Sequence, residues 1–202
     1  MLNDSVIEEL QRAATAYLEA NLDKHYTYHN AEHTLEVCNA VKLFTENSTL
    51  PETTVSALKI AAIFHDFGYL VRSFDNEKLS QPYLETFGRR LGIEEKILLE
   101  ANALILETVF PYKPVTPAGK LLCDADVEYI GRKDFFNKAE LFRQELSGRG
   151  VVYTNKEWWR LEVEFLQQNS FFTPVCRILR NAGRIENLKS ARMYLLESEK
   201  EC

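Results

Sequence analysis

Apolar residues recur along this chain with the three-to-four spacing of helices almost throughout, and nowhere with the strict alternation of a half-buried strand. Val6, Leu10, Ala13, Ala14, Tyr17 and Leu18 stripe one face of a first helix, which Asn3, Asp4 or Ser5 can cap. A second helix is predicted from about residue 30 to 46, with Val37, Ala40, Val41 and Phe44 turned inward. Pro51 suits the opening of a third, which carries Val55, Leu58, Ala61 and Ala62 as far as His65 and should stop at Gly68. Residues 76–91 predict a fourth, whose start Pro82 should shift or whose axis it should kink. Residues 94–109 predict a fifth, ending before the loop made by Pro111, Pro114 and Pro117. Beyond that loop KLLCDADVEYIG resumes a helix up to Gly131, and Asp134 can cap the next, to roughly Leu146. Thr154 and Glu157 form a capping box, Thr173-Pro174 a second start signal, and a last helix is expected after Gly183. With no internal repeat and no low-complexity segment, the pattern predicts an all-α, single-domain bundle of about eight to ten helices over residues 1–202.

One stretch breaks the pattern. AAIFHDFGYL, residues 61–70, sets His65 and Asp66 inside an apolar run, where an unpaired charge would cost several kcal/mol. A hydrogen-bonded partner or a metal ion would compensate it. YHNAEH places His29 and His33 four apart, one helical turn from each other, so either could reach the same site. DAD supplies Asp124 and Asp126 near a predicted helix start. Histidines and carboxylates drawn from three helices into a bundle core are how such folds build metal sites. Mixed nitrogen and oxygen ligation without thiolate suits a borderline to hard divalent ion (Mn, Mg, Co, Ni, Fe or Zn) and disfavours a structural zinc site. Water on such an ion becomes a nucleophile, so hydrolysis is the reaction class expected. Each piece also has a plainer use: a core or surface histidine for His33, a helix cap for DAD. Joint occurrence favours the site, because three of the four histidines fall in two short motifs and only His25 reads as a loop residue.

Composition narrows the setting. At 202 residues, 46% hydrophobic and 27% charged, the sequence is that of an ordinary globular chain. A net charge of −6 argues against a nucleic-acid polymer as partner. Cys38, Cys123, Cys176 and Cys202 lie far apart and read as buried or incidental thiols of a reducing compartment. The acidic, amphipathic N-terminus has no secretory pattern, and no apolar run reaches spanning length, so neither export nor a membrane is expected and the cytoplasm is the default.

The pieces YHNAEHTLEV, AAIFHDFGY and LLCDADVEYIG, within residues 28–131, resemble the HD superfamily of metal-dependent phosphohydrolases. The resemblance covers about half the chain, with residues 132–202 as a helical extension. It implies His33, His65, Asp66 and Asp126 as metal ligands, with Asp66 also serving catalysis and Asp124 supporting the ligands from behind. His29 is similar to the first histidine of the cyclic nucleotide phosphodiesterase branch and would be a general acid for the leaving oxygen, a role that suits imidazole. No histidine follows His65, unlike in branches with a fully ligated second metal, and Glu107 and Thr108 are the notable polar residues at the corresponding helix end. One tightly held divalent ion is therefore expected, with a second, weakly bound one allowed.

Lys113, Lys120, Arg132, Arg72, Lys189 and Arg192 are available to bind phosphate, and the sequence selects none of them. The expected activity is hydrolysis of a small phosphate ester, such as a nucleotide. Its alternatives are a nucleotide-sensing module without turnover and a helical interaction protein with a structural metal, using Tyr153, Trp158 and Trp159. A homodimer is compatible with either.

Overall fold

The computed structural model describes residues 2–200, so Cys202 lies outside the described residues. Those residues are all-helical: nine α-helices, two single-turn 3₁₀ segments and no strand. Two compact units divide them, one from Met1–Asp23 and His29–Asp126, the other from Lys24–Tyr28 and Val127–Cys202.

The first unit holds α1 (Asp4–Asn21), α2 (Ala31–Thr45), α3 (Glu52–Phe64), α4 (Asn76–Arg90), α5 (Glu95–Leu106) and α6 (Pro117–Asp126). Its hub is α3, which packs against the other five. The sequence ALKIAAIF explains this, because apolar residues run round the whole helix rather than along one stripe, and Ala57, Leu58 and Ile60 to Phe64 are all buried. Phe64 and Phe67 are fully buried beside one another, and each side chain taken from water contributes about 1.5–3 kcal/mol. In α1, Asn3 is the cap, accepting from the Ser5 N–H, and the inward seam is Ile7, Leu10, Ala14 and Leu18. The expected stripe is thus rotated slightly, leaving Ala13 and much of Tyr17 exposed.

Several other expectations need correcting. The helix α3 ends at Phe64, so His65 caps it and Asp66 lies just beyond, while Gly68 sits inside the 3₁₀ turn Phe67–Leu70 rather than stopping a helix. Gly68 is required there by close approach, since a Cβ would lie 1.9 Å from the Asn76 carbonyl oxygen. Pro82 neither delays nor ends α4, which begins at Asn76 and runs through it. The helix carrying DAD begins at Pro117, with the Thr116 hydroxyl accepting from the Gly119 N–H at 2.9 Å, so Asp124 and Asp126 fall at its end and not at its start.

The second unit contains α7 (Phe135–Gly148), α8 (Asn155–Gln168) and α9 (Pro174–Ser198). The capping box of Thr154 and Glu157 and the Thr173 cap ahead of Pro174 are both present. Asp134 precedes α7 without capping it, because its carboxylate is taken by Arg132. No helix begins after Gly183, which lies within α9 where a Cβ would meet the Gly131 carbonyl oxygen at 2.1 Å. Among the described residues no helix is long and apolar enough to cross a membrane.

Candidate metal centre

His33, His65, Asp66 and Asp126 converge within the first unit, and their ligand atoms all lie within 4.8 Å of one another. Local structure brings each one there. The Asn30 side chain caps α2 by accepting from the Glu32 and His33 N–H groups, which fixes His33 in the first turn. His65 and Asp66 leave the C-terminal end of the hub helix, and Asp126 is the last residue of α6. The chain after Asp66 is held by Ser80, whose hydroxyl accepts from the Gly68 N–H at 2.8 Å and faces the carbonyl oxygens of His65 and Asn76 at 3.0 and 2.9 Å. That clasp docks the start of α4 against the His-Asp turn.

The distances are short and nearly equal. His33 Nε2 lies 3.1 Å from Asp126 Oδ1, 3.4 Å from Asp66 Oδ2 and 3.3 Å from His65 Nε2. His65 Nε2 lies 3.3 Å from Asp66 Oδ2 and 3.5 Å from Asp126 Oδ1. His65 donates from Nδ1 to the Ala62 carbonyl at 2.9 Å, which turns Nε2 and its lone pair toward the cluster. Asp66 Oδ2 is buried with no hydrogen-bond partner. Donors bound at about 2.1 Å to one ion stand about 3.0–3.4 Å apart when adjacent. The set could therefore hold a metal ion, and the Asp66 oxygen is its one donor atom without a hydrogen-bond partner.

Without an ion, the imidazoles and carboxylates stabilise charge on one another. Burial disfavours charge on both imidazoles, but the carboxylates outweigh it: the hydrogen bond with Asp126 and then the Asp66 carboxylate beside it raise His33, and Asp66 leads the groups that hold His65 well above its ordinary value. Burial likewise opposes ionisation of Asp66 and Asp126, yet His65 and His33 hold both below the usual carboxylate range. Moreover, Asp66 and Asp126 sit at the C-terminal ends of α3 and α6, the negative poles of those helices. Two carboxylates placed against two negative poles call for positive charge between them.

The remaining expected residues separate. Asp124 is fully buried two positions before Asp126 and is not one of the four clustered groups. His29 is not on the same helix as His33, because α2 begins at Ala31 and Asn30 caps it. Its ring nevertheless lies 5.9 Å from that of His33 and stacks on Tyr69 at 4.3 Å. Of the cations considered for phosphate, Arg132 pairs with Asp134 and Glu128, Arg72 with Asp75, and Lys189 with Glu186. His25 is in a loop, as expected, and Trp158 is fully buried in the core of its unit.

Sequence reading missed two residues near the cluster. Tyr112 donates from its hydroxyl to Asp126 Oδ2 at 2.9 Å. Glu77, in the first turn of α4, has its carboxyl raised by burial and then by the nearby Asp66 and Asp126 charges. The proline-flanked tyrosine ahead of DAD was a usable signal for the first. Only the docking of α4 could have revealed the second. Comparison with protein-family models, with curated proteins and with solved structures finds no match to this chain.

Proposed function

We propose that this chain is a metal-dependent phosphohydrolase of the HD type, acting on a small phosphate ester such as a nucleotide. The observation that carries the reading is the four-residue donor set within 4.8 Å, in which each imidazole stands 3.1–3.5 Å from the other and from both carboxylates and one Asp66 oxygen has no hydrogen-bond partner. The motif resemblance supports it from the sequence side. His33, His65, Asp66 and Asp126 would hold the ion. When bound, it lowers the pKa of a coordinated water and neutralises charge on a phosphoryl group. The protein's own contribution is orientation. The Ala62 carbonyl fixes the His65 tautomer, Asn30 fixes His33, and stacking on Tyr69 fixes the plane of His29 beside the centre. From there the His29 imidazole can hand a proton to a departing oxygen, which neither carboxylate can do while ionised.

The test is elemental analysis of the purified protein, followed by phosphate release from a panel of nucleotides and nitrophenyl phosphate with Mn²⁺, Mg²⁺, Co²⁺ and Ni²⁺. One ion per chain and chelator-sensitive phosphate release are expected. Turnover that persists after complete metal removal would overturn the mechanism. A metal-loaded protein stabilised by a nucleotide yet inert to the whole panel would be a binding module instead.

A further inference from the structure

The chain between α5 and α6 is tied down at its base. Glu107, the residue that ends α5, accepts from the Val115 N–H at 2.7 Å and the Thr116 N–H at 3.0 Å through one oxygen, and from the Thr116 hydroxyl at 2.7 Å through the other. The Glu107 carboxylate lies so near Gly119 that a Cβ there would be 2.0 Å from it. The Cys123 thiol donates to the Glu107 backbone carbonyl at 3.2 Å, linking the same point to the middle of α6. Residues 107–116 thus form a short loop whose two ends are closed by one carboxylate. Tyr112 lies within that closed loop, and its hydroxyl reaches the outer oxygen of Asp126.

The two carboxylates of the centre are consequently held in different ways. Asp126 is engaged at both oxygens, by His33 at Oδ1 and by Tyr112 at Oδ2. Asp66 Oδ2 has no hydrogen-bond partner. A carboxylate engaged on its far oxygen cannot rotate freely about its terminal bond, so Asp126 presents one oxygen to the centre in a fixed direction. A phenol is well suited to this, since it donates one hydrogen bond to an ionised acceptor and adds no charge.

We infer that Tyr112 is a positioning residue for the metal-binding carboxylate Asp126, delivered to it by a loop that Glu107 closes. The inference rests on the metal reading of the cluster. Its effect is on how tightly the centre binds an ion, ahead of any effect on chemistry. Removing only the phenolic oxygen should weaken metal binding by about 10–100-fold. Loosening the loop at Glu107 should act in the same direction with a smaller factor.

The experiment uses the full chain and Mn²⁺, titrated by calorimetry and by the electron spin resonance signal of free Mn²⁺, for wild type, Tyr112→Phe and Glu107→Gln. Thermal unfolding without metal runs alongside as the control for folding. Tyr112→Phe keeps the ring, so it should stay cooperatively folded without metal, with a melting temperature lowered by no more than a few degrees for the lost hydrogen bond, while the Mn²⁺ dissociation constant rises. Turnover of nitrophenyl phosphate should then fall at limiting Mn²⁺ and recover at saturating Mn²⁺, with KM for the ester unchanged. Unchanged Mn²⁺ affinity in Tyr112→Phe would overturn the inference and leave the metal reading standing. Turnover that stays low at saturating Mn²⁺ would also overturn it, by showing that the phenol serves the substrate instead. A wild-type chain that binds neither Mn²⁺ nor, by calorimetry, Mg²⁺, Co²⁺, Ni²⁺, Fe²⁺ or Zn²⁺ would overturn the metal reading and this inference with it.

Discussion

Two buried sets of acids in this molecule ionise in opposite ways. Asp66 and Asp126 in the first unit are held below the ordinary carboxylate range, while Glu162 on α8 in the second is pushed up to about 7. Burial acts on all three in the same direction, favouring the neutral acid. Partners make the difference. Asp66 and Asp126 face two imidazoles within 3.5 Å, whereas burial is the only cause acting on Glu162. Glu162 Oε2 has no hydrogen-bond partner, and neither has the buried Nε1 of Trp158 one turn earlier on α8. A buried acid facing imidazoles is kept ionised, and a buried acid without such partners is held toward its neutral form.

The sharpest way to break that comparison is to delete a carboxylate from each set. Asp126→Ala should lose bound metal on desalting and reduce phosphate release to background, and it should lower metal-free stability by about 3–5 kcal/mol by stranding His33. Metal content, turnover and denaturant titration check the three parts. Glu162→Gln replaces a group held toward its neutral form by one of similar shape, so its stability should match wild type below the ordinary value of 4.5, where both chains carry the same charge. Equal and large losses in both variants would show that burial, and not partnership, governs these acids.

His29 tests how far the partnered cluster extends. Its ring stacks on Tyr69 outside the four donors, so His29→Ala should keep its metal and lose turnover by about 10²–10⁴-fold. The loss should be smaller for a nitrophenyl ester, whose leaving group needs little protonation. Parallel loss of metal would make His29 a fifth ligand.

The smallest effect is a pH dependence from Glu162. Its folded value near 7 stands above the ordinary 4.5, so between those values the unfolded chain has released a proton that the folded chain retains. Stability is therefore greatest below the unfolded value and declines as pH rises through this window, by on the order of 3 kcal/mol. The cluster supplies a second slope. In the metal-free protein its raised histidines contribute stability below the ordinary imidazole value that fades as pH climbs through their folded values, and its lowered aspartates contribute stability that fades in acid. Chemical unfolding from pH 5 to 8 on wild type and Glu162→Gln separates the two, since only the first slope should vanish in the variant.

How much of this was legible in the sequence follows from range. Helix existence and the Thr154 and Thr173 caps depend on local spacing and residue type and could be read, as could the three motifs of the cluster; which histidine of HNAEH and which aspartate of DAD belong to it came from the resemblance alone. What could not be read depends on a neighbour arriving from elsewhere. Gly183 looked like a boundary because glycine often ends helices, whereas here it is a contact point for Gly131. DAD looked like a helix start because the signal of Thr116-Pro117 was hidden among other prolines. Tyr112 is marked locally only by the prolines around it, and its partner Asp126 becomes visible only once Glu107 closes the loop.

The central position of α3 has a consequence for how a ligand would be felt. His65 and Asp66 grow from a helix walled by five others, so its amides are expected to exchange with solvent through opening of the first unit as a whole. An ion held by those two residues would slow exchange in α3 by the full factor 1 + [ion]/Kd, and the slowing would spread through α1–α6 as one cooperative block rather than decaying with distance from the centre.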